Sequence, residues 1–225
     1  MPNLAAIMQS GNLYAYCMNN PVRYADPSGH IIEFSSNATA VCMWYYADAV
    51  EYLQTSSTAA ALIQLLMNSS LVFTISFNNS FTNNYDPNTR TINWDPTGAL
   101  VLGNGIHVQS AALILAHEMG HAAQHLEGVF DVKESYGRDE RRAIEELNLA
   151  RYETPIAREL GEFTRRNYYD TSKMYRVSNP TVWGVLHTDR PMWHYINPLN
   201  WGKPSQRFEN LNPWNGVKMR AGWPY

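Results

Sequence analysis

The sequence has few cysteines, no long apolar run and no basic cluster, and each shortage excludes a class of protein. Its 225 residues include only two cysteines, Cys17 and Cys42, which cannot form a disulfide framework or a four-cysteine zinc site. No apolar run approaches the roughly 20 residues that cross a bilayer, so no membrane span is predicted. The net charge of −3, without a basic cluster, gives no reason to expect nucleic acid as a partner.

The N-terminus also lacks the basic and apolar regions of a secretory signal peptide. The prediction is a protein that is cytoplasmic in the producing cell, unless a dedicated machine exports it. Its length suits one domain, or one domain with an appendage.

The first half of the chain predicts helices followed by a small sheet. Apolar periodicity indicates two helices over residues 38–68, with Ser56 or Ser57 capping the second. Residues 71–77 and 90–94 are rich in β-branched and aromatic residues and predict two strands.

The second half predicts two long helices. The first is apolar and ends at Gly128, and the second is strongly charged, covers about residues 138–160 and is kinked at Pro155. Glycines at 98, 103 and 105 indicate turns before the first of them. Residues 171–225 show little periodicity and are rich in Trp and Pro.

The most informative motif is H-E-x-x-H, from His117 to His121, at the end of an apolar run. In a helix, residues four apart lie on one face, so both imidazoles can bind one Zn²⁺ at about 2.0–2.1 Å. Glu118 then points beside the metal, where its carboxylate can take a proton from zinc-bound water. The motif predicts a zinc hydrolase.

A catalytic zinc needs a third protein ligand and an open position for water. The extended metzincin pattern is absent, because Gln124 and Glu127 stand where it requires Gly and His. His125 lies too far along the helix axis from His117 to share the same ion, so a structural role is expected for it.

The remaining candidates for the third ligand are acids of the charged helix. They are Asp139, Glu140, Glu145, Glu146 and Glu153. The symmetry of a helical hairpin slightly favours Glu145 or Glu146, although variable loop length leaves Glu140 open. Most of these acids are otherwise expected to pair with arginines on a solvated face.

The first 30 residues resemble the end of the core of Rhs (YD-repeat) proteins. The resemblance rests on G-N-L-Y-A-Y at 11–16, N-N-P at 19–21 and D-P-S-G-H at 26–30. In that family the segment closes a β-shell, and a variable C-terminal toxin follows it. The resemblance implies that 1–30 is a remnant of the Rhs core.

The stretch from His117 to Gly128 is similar to the zinc helix of clostridial neurotoxin light chains and of injected bacterial metallopeptidase effectors. Those families continue with Glu-Glu-x-Arg-Thr and an apolar residue, in which the second Glu binds zinc. Asp139 to Ile144 fits this pattern, which implies Glu140 as the third ligand, with Glu146 as the alternative. The resemblance also implies that Asp139 and Glu153 contact the zinc ligands and orient them without binding the metal.

The same families use an Arg-x-x-Tyr element to stabilise the transition state. Arg165 and Tyr168 match its spacing, and Arg166 with Tyr169 fits equally well. A positioned donor of this kind lowers the energy of the developing oxyanion.

Together these features predict a zinc endopeptidase toxin with a helix-rich, zincin-like α+β fold, whose small sheet precedes the H-E-x-x-H helix. The predicted domains are the zinc metallopeptidase over 31–170 and an extension over 171–225 that packs on it. Expected partners are a protein substrate in the target-cell cytoplasm, the Rhs β-shell and a cognate immunity protein. The alternative is a non-catalytic, zinc-stabilised module for encapsulation or partner binding. The strand at 91–94 is expected to offer its edge to an extended peptide.

Overall fold

A computed structural model describes residues 32–130, 136–189 and 205–212. The Rhs-like segment therefore lies outside the described residues, as do parts of the C-terminal extension. Within these ranges the protein has the predicted α+β fold, with helices and two small sheets. No helix in the described ranges is long and apolar enough to cross a membrane.

The first sheet has four short strands in the order β1-β2-β4-β3. Their bounds are β1 Ile32–Phe34, β2 Phe73–Phe77, β3 Asn84–Asp86 and β4 Thr91–Trp94. β1, β2 and β4 are parallel, whereas β3 pairs antiparallel with β4. The free edge beside β4 therefore belongs to β3, and the expectation that β4 itself offers an edge is wrong.

Three helices share one apolar core with this sheet. They are α1 Ala40–Leu53, α2 Ser57–Met67 and α3 Ala111–Leu126. Ser56 caps α2 by accepting a hydrogen bond from the Ala59 N–H, which confirms one of the two predicted caps. The motif helix α3 is buried at every position from 111 to 124, so the core on several sides fixes its orientation.

The second sheet was not predicted from the sequence. Its antiparallel strands have the order β7-β5-β6-β8-β9. They are β5 Gly98–Leu102, β6 His107–Gln109, β7 Thr171–Arg176, β8 Gly184–Asp189 and β9 Ser205–Asn210. Gly184 suits a strand here because a Cβ would lie 1.9 Å from the Glu209 carbonyl oxygen. The C-terminal strands thus pair with the hairpin that leads into α3.

The predicted charged helix is continuous but not uniform. It comprises α4 Arg138–Asn148, a π-helical turn Leu149–Glu153 and α5 Thr154–Leu160. The wide turn immediately precedes Pro155, which has no N–H to donate and whose ring disturbs a regular α-helix. Gly161 ends α5 in the left-handed conformation, with φ of 75°.

Candidate metal centre

His117 and His121 lie on one face of α3 with their rings nearly perpendicular, at 86°. Their Nε2 atoms are 3.2 Å apart, and both residues are buried. The spacing of four residues therefore produces the convergence that the motif predicts.

Glu145 of α4 completes the group. Its Oε2 lies 3.2 Å from His117 Nε2 and 3.0 Å from His121 Nε2. These are the residues in the described ranges whose ligand atoms meet closely enough to hold one metal ion.

The other predicted acids lie elsewhere. Glu140 is exposed in the first turn of α4, where its Oε2 accepts a hydrogen bond from the Gly137 N–H at 3.0 Å. Glu146 accepts from the Tyr168 N–H at 3.1 Å, and Asp139 is exposed. Since Glu140 is more than one helical turn from Glu145, it does not reach the histidines. Glu145 replaces it as the candidate ligand.

The arrangement of donors fits a tetrahedral zinc. Ligand atoms about 2.0–2.1 Å from such an ion lie about 3.4 Å from one another, and the three separations here are 3.0–3.2 Å. Two imidazole lone pairs and a carboxylate oxygen repel each other at this distance unless a cation or a proton lies between them. Burial raises the pKa of Glu145, but its contacts with the two imidazoles lower it to about 2.

Each histidine contacts a further side chain through Nδ1, the ring nitrogen that is not part of the candidate metal group. His117 Nδ1 is 2.8 Å from Glu153 Oε2, and His121 Nδ1 is 2.8 Å from Gln124 Oε1. Both partners are acceptors at these atoms, which favours a hydrogen on each Nδ1 and a free lone pair on each Nε2 for a metal. The Arg165 guanidinium also approaches His117 Nδ1, with Nη2 at 3.3 Å. Glu153 therefore lies on the side of His117 opposite Glu145.

The π-helical turn places Glu145 and Glu153 on the same face. Eight residues of regular α-helix leave two side chains roughly 80° apart. One π turn largely removes this angular separation, because it contains one more residue than an α turn. Glu145 and Glu153 consequently contact opposite nitrogens of one imidazole, that of His117.

Glu118 is buried next to the ligands, and burial raises its pKa. Its carboxylate accepts a hydrogen bond from the Tyr85 N–H of β3. Tyr85 also contacts His125, with 2.5 Å between the hydroxyl and Nδ1, which gives His125 a structural partner and no place in the metal group.

Arg165 and Tyr168 lie at the site, whereas Arg166 and Tyr169 do not. Arg165 is buried and pairs with Glu153, with Nε 2.8 Å from Oε1. The Tyr168 ring stacks on His117 at 6.0 Å. Arg166 pairs with Asp170 at the surface, and Tyr169 is 60% exposed.

The sequence interpretation missed two buried amides. Gln109 Nε2 donates to Glu153 Oε1 at 3.2 Å and to the Phe163 carbonyl at 2.7 Å. Nothing in the sequence pattern marks Gln109. Gln124 carries a signal, since it stands three residues after His121 and therefore on the same helix face.

An α+β fold that brings two histidines and a carboxylate together beside a buried glutamate has the composition of a metal-dependent hydrolase site. The comparison with protein families agrees: the family model for M91 peptidases, described as "effector protein", matches residues 46–157. This match supports a metallopeptidase-like effector domain that includes α3 and Glu145. No curated protein and no solved structure matches the chain.

Proposed function

We propose that this protein is a zinc-dependent endopeptidase toxin that hydrolyses peptide bonds of target-cell proteins. The observation that carries the proposal is the convergence of His117 Nε2, His121 Nε2 and Glu145 Oε2 within 3.2 Å of one another, beside Glu118. In the part of the chain that the structure describes, this group has three ligands, which leaves a tetrahedral ion one open position. An open position favours catalysis over the alternative of a closed, purely structural zinc site.

Zinc held by these three residues would supply Lewis acidity and lower the pKa of a bound water. Glu118 then acts as the general base, accepting a proton from the attacking water and returning it to the leaving nitrogen. Its raised pKa suits this exchange, because a carboxylate with a higher proton affinity is a stronger base.

Arg165 and Tyr168 have separate roles in the proposal. Arg165 keeps Glu153 ionised: burial raises the pKa of Glu153, but Arg165 and His117 lower it to about 2. Ionised Glu153 orients His117. Burial raises the pKa of Tyr168 to about 12, so its hydroxyl stays protonated and can donate to the oxygen on which negative charge develops.

The substrate is proposed to bind along β3. Among the described residues this strand pairs only with β4, which makes it the edge of the first sheet. Its Tyr85 N–H points away from β4 toward Glu118. An extended peptide on this edge would form main-chain hydrogen bonds next to the general base.

Delivery by an Rhs protein is proposed from the resemblance of residues 1–30. The toxin would be made in the producer cytoplasm beside its β-shell and a cognate immunity protein. A dedicated machine, such as a type VI secretion system, would then bring it to the target-cell cytoplasm. The effector description of the matching family supports delivery into a target cell, and the Rhs route rests on the resemblance alone.

The Glu118→Gln variant tests the proposal. It removes the base and keeps all three ligands, so zinc content should equal wild type while activity falls about 10²–10⁴-fold. The measurement is a survey of new protein termini in cells that express each form, with zinc content measured on the purified chains. Glu127→Gln is the matched control, because Glu127 ends the same helix but pairs with Arg151 at the surface. New termini that persist in Glu118→Gln, or a wild-type chain that binds no zinc, would overturn the proposal.

A further inference from the structure

Gln124 connects two helices that carry different ligands. It is fully buried, and both ends of its amide are used. Oε1 lies 2.8 Å from His121 Nδ1, while Nε2 donates to the Ile144 carbonyl at 2.9 Å. Ile144 immediately precedes Glu145, so a single side chain contacts one ligand directly and the backbone beside another.

We propose that Gln124 is a positioning residue that sets His121 and Glu145 at the separation a metal requires. The inference rests on the proposed zinc site. The contact with Nδ1 fixes the His121 ring with Nε2 facing Glu145. The contact with Ile144 fixes how far α4 is shifted along the axis of α3. It therefore also fixes the position of the Glu145 carboxylate.

The chemistry of the site requires an amide at this position. His121 Nδ1–H needs an acceptor and the Ile144 carbonyl needs a donor, and a glutamine offers both on one rigid plane. A glutamate would keep the acceptor but would set an oxygen against a carbonyl oxygen. A methionine would fill similar space and supply neither group.

Asn148 forms the reciprocal contact from α4 to α3. Its Nδ2 donates to the His117 carbonyl at 2.8 Å, and its Oδ1, which has no hydrogen-bond partner within the described ranges, lies against Gly120. A Cβ on Gly120 would be 2.0 Å from that oxygen. The two helices therefore approach closely where the ligands meet, and Gln124 is the amide there that contacts a ligand side chain.

The test measures zinc affinity in the full chain by competition with a chromogenic chelator. Gln124→Met should weaken zinc binding about 10–100-fold, as loss of a supporting partner generally does. Gln124→Glu, which keeps the acceptor, should lose less than Gln124→Met. Gln64→Met changes a half-buried glutamine of α2 in the same way and should leave the affinity unchanged.

A double-variant cycle separates positioning from general loss of packing. If Gln124 acts partly through Glu145, the combined loss of zinc affinity in Gln124→Met/Glu145→Gln should be smaller than the product of the two single losses. Wild-type affinity in a folded Gln124→Met would overturn the inference while leaving the zinc endopeptidase proposal intact.

A measurement on the wild-type chain keeps the test decisive if the variants do not fold. Nitrogen NMR should find the His121 hydrogen on Nδ1 when zinc is bound. Zinc coordinated through Nδ1 would overturn the inference, whereas a wild-type chain that binds no zinc would overturn the proposed function itself.

Discussion

Two buried carboxylates next to α3 lie in opposite electrostatic surroundings. At the N-terminal end, Glu162 accepts hydrogen bonds from the Ser110 N–H at 2.8 Å, the Ser110 hydroxyl at 2.6 Å and the Tyr52 hydroxyl at 2.9 Å. All of these donors are neutral. Burial therefore dominates and raises the pKa of Glu162 to about 7.

Glu153, which contacts His117 near the middle of α3, is equally buried but faces the Arg165 guanidinium and the His117 imidazole. These partners hold its pKa at about 2 in spite of burial. The comparison shows that the charge of the partners, and not burial alone, decides whether a buried acid is ionised. Hydrogen bonds to Glu162 anchor the N-terminal end of α3, whereas Glu153 carries charge on which the proposed chemistry depends.

The largest loss of stability is expected when the buried ion pairs of Glu153 with Arg165 and His117 are broken. Arg165→Met leaves Glu153 buried without its cation, which should lower the free energy of unfolding by about 3–5 kcal/mol. Arg166→Met removes a pair whose guanidinium is exposed and screened by solvent, so it should change the free energy of unfolding much less. Urea denaturation of both variants measures the difference.

A second change in the same network sharpens this prediction. Glu153→Gln removes the stranded charge, so the double variant Arg165→Met/Glu153→Gln should recover part of the lost stability. Equal losses for Arg165→Met and Arg166→Met would contradict the assignment of Arg165 to a buried network.

The second-largest effect is expected on zinc affinity, when the candidate ligand Glu145 is replaced. Glu145→Gln should weaken zinc binding at least about 100-fold, because it removes a charged ligand where even supporting residues contribute 10–100-fold. Glu140→Gln alters only the first turn of α4 and should leave zinc affinity unchanged. Chelator competition on both variants distinguishes the two acids, and a greater loss in Glu140→Gln would reverse their roles.

The smallest effect is expected from Glu162, at the anchored end of α3. Its folded-state pKa of about 7 exceeds the ordinary value of 4.5. The unfolded chain therefore loses this proton first as the pH rises, and the folded state loses stability relative to it. Between pH 5 and 8 the loss should be about 2–3 kcal/mol, at 1.36 kcal/mol per unit of pKa difference.

Glu162→Gln removes this titration and provides the comparison. The free energy of unfolding of the wild type minus that of the variant should fall as the pH rises from 5 to 7 and then level off. Urea denaturation across this range tests the prediction. A difference that does not change with pH would show that Glu162 is ionised throughout.

The sequence predicted the elements with strong periodicity and the histidine pair. The helices around residues 38–68, the motif helix and the charged helix are long enough for their apolar or charged faces to be recognised. The second sheet was missed because its strands are short, and because β7, with no fully buried residue, shows little of the alternation that marks a half-buried strand.

The third ligand was predicted less well, for a physical reason. Hairpin geometry favoured Glu145 or Glu146, but the resemblance moved the choice to Glu140. Ile144 marks the side of α4 that packs inward, since it is a buried apolar residue in a charged helix. Glu145 follows it about 100° around the helix, and its half-buried side chain reaches both histidines. Buried amides such as Gln109 leave no periodic signal, because one polar residue does not alter the apolar pattern.

The π-helical turn between α4 and α5 also changes which residues of this segment lie on the same face of the helix. If the eight residues from Glu145 to Glu153 followed the ordinary α-helical pitch, the two acids would be about a fifth of a turn out of phase. Only one of these acids could then contact His117. The additional residue of the π turn thus allows two acids eight positions apart on one helix to contact both nitrogens of the same imidazole.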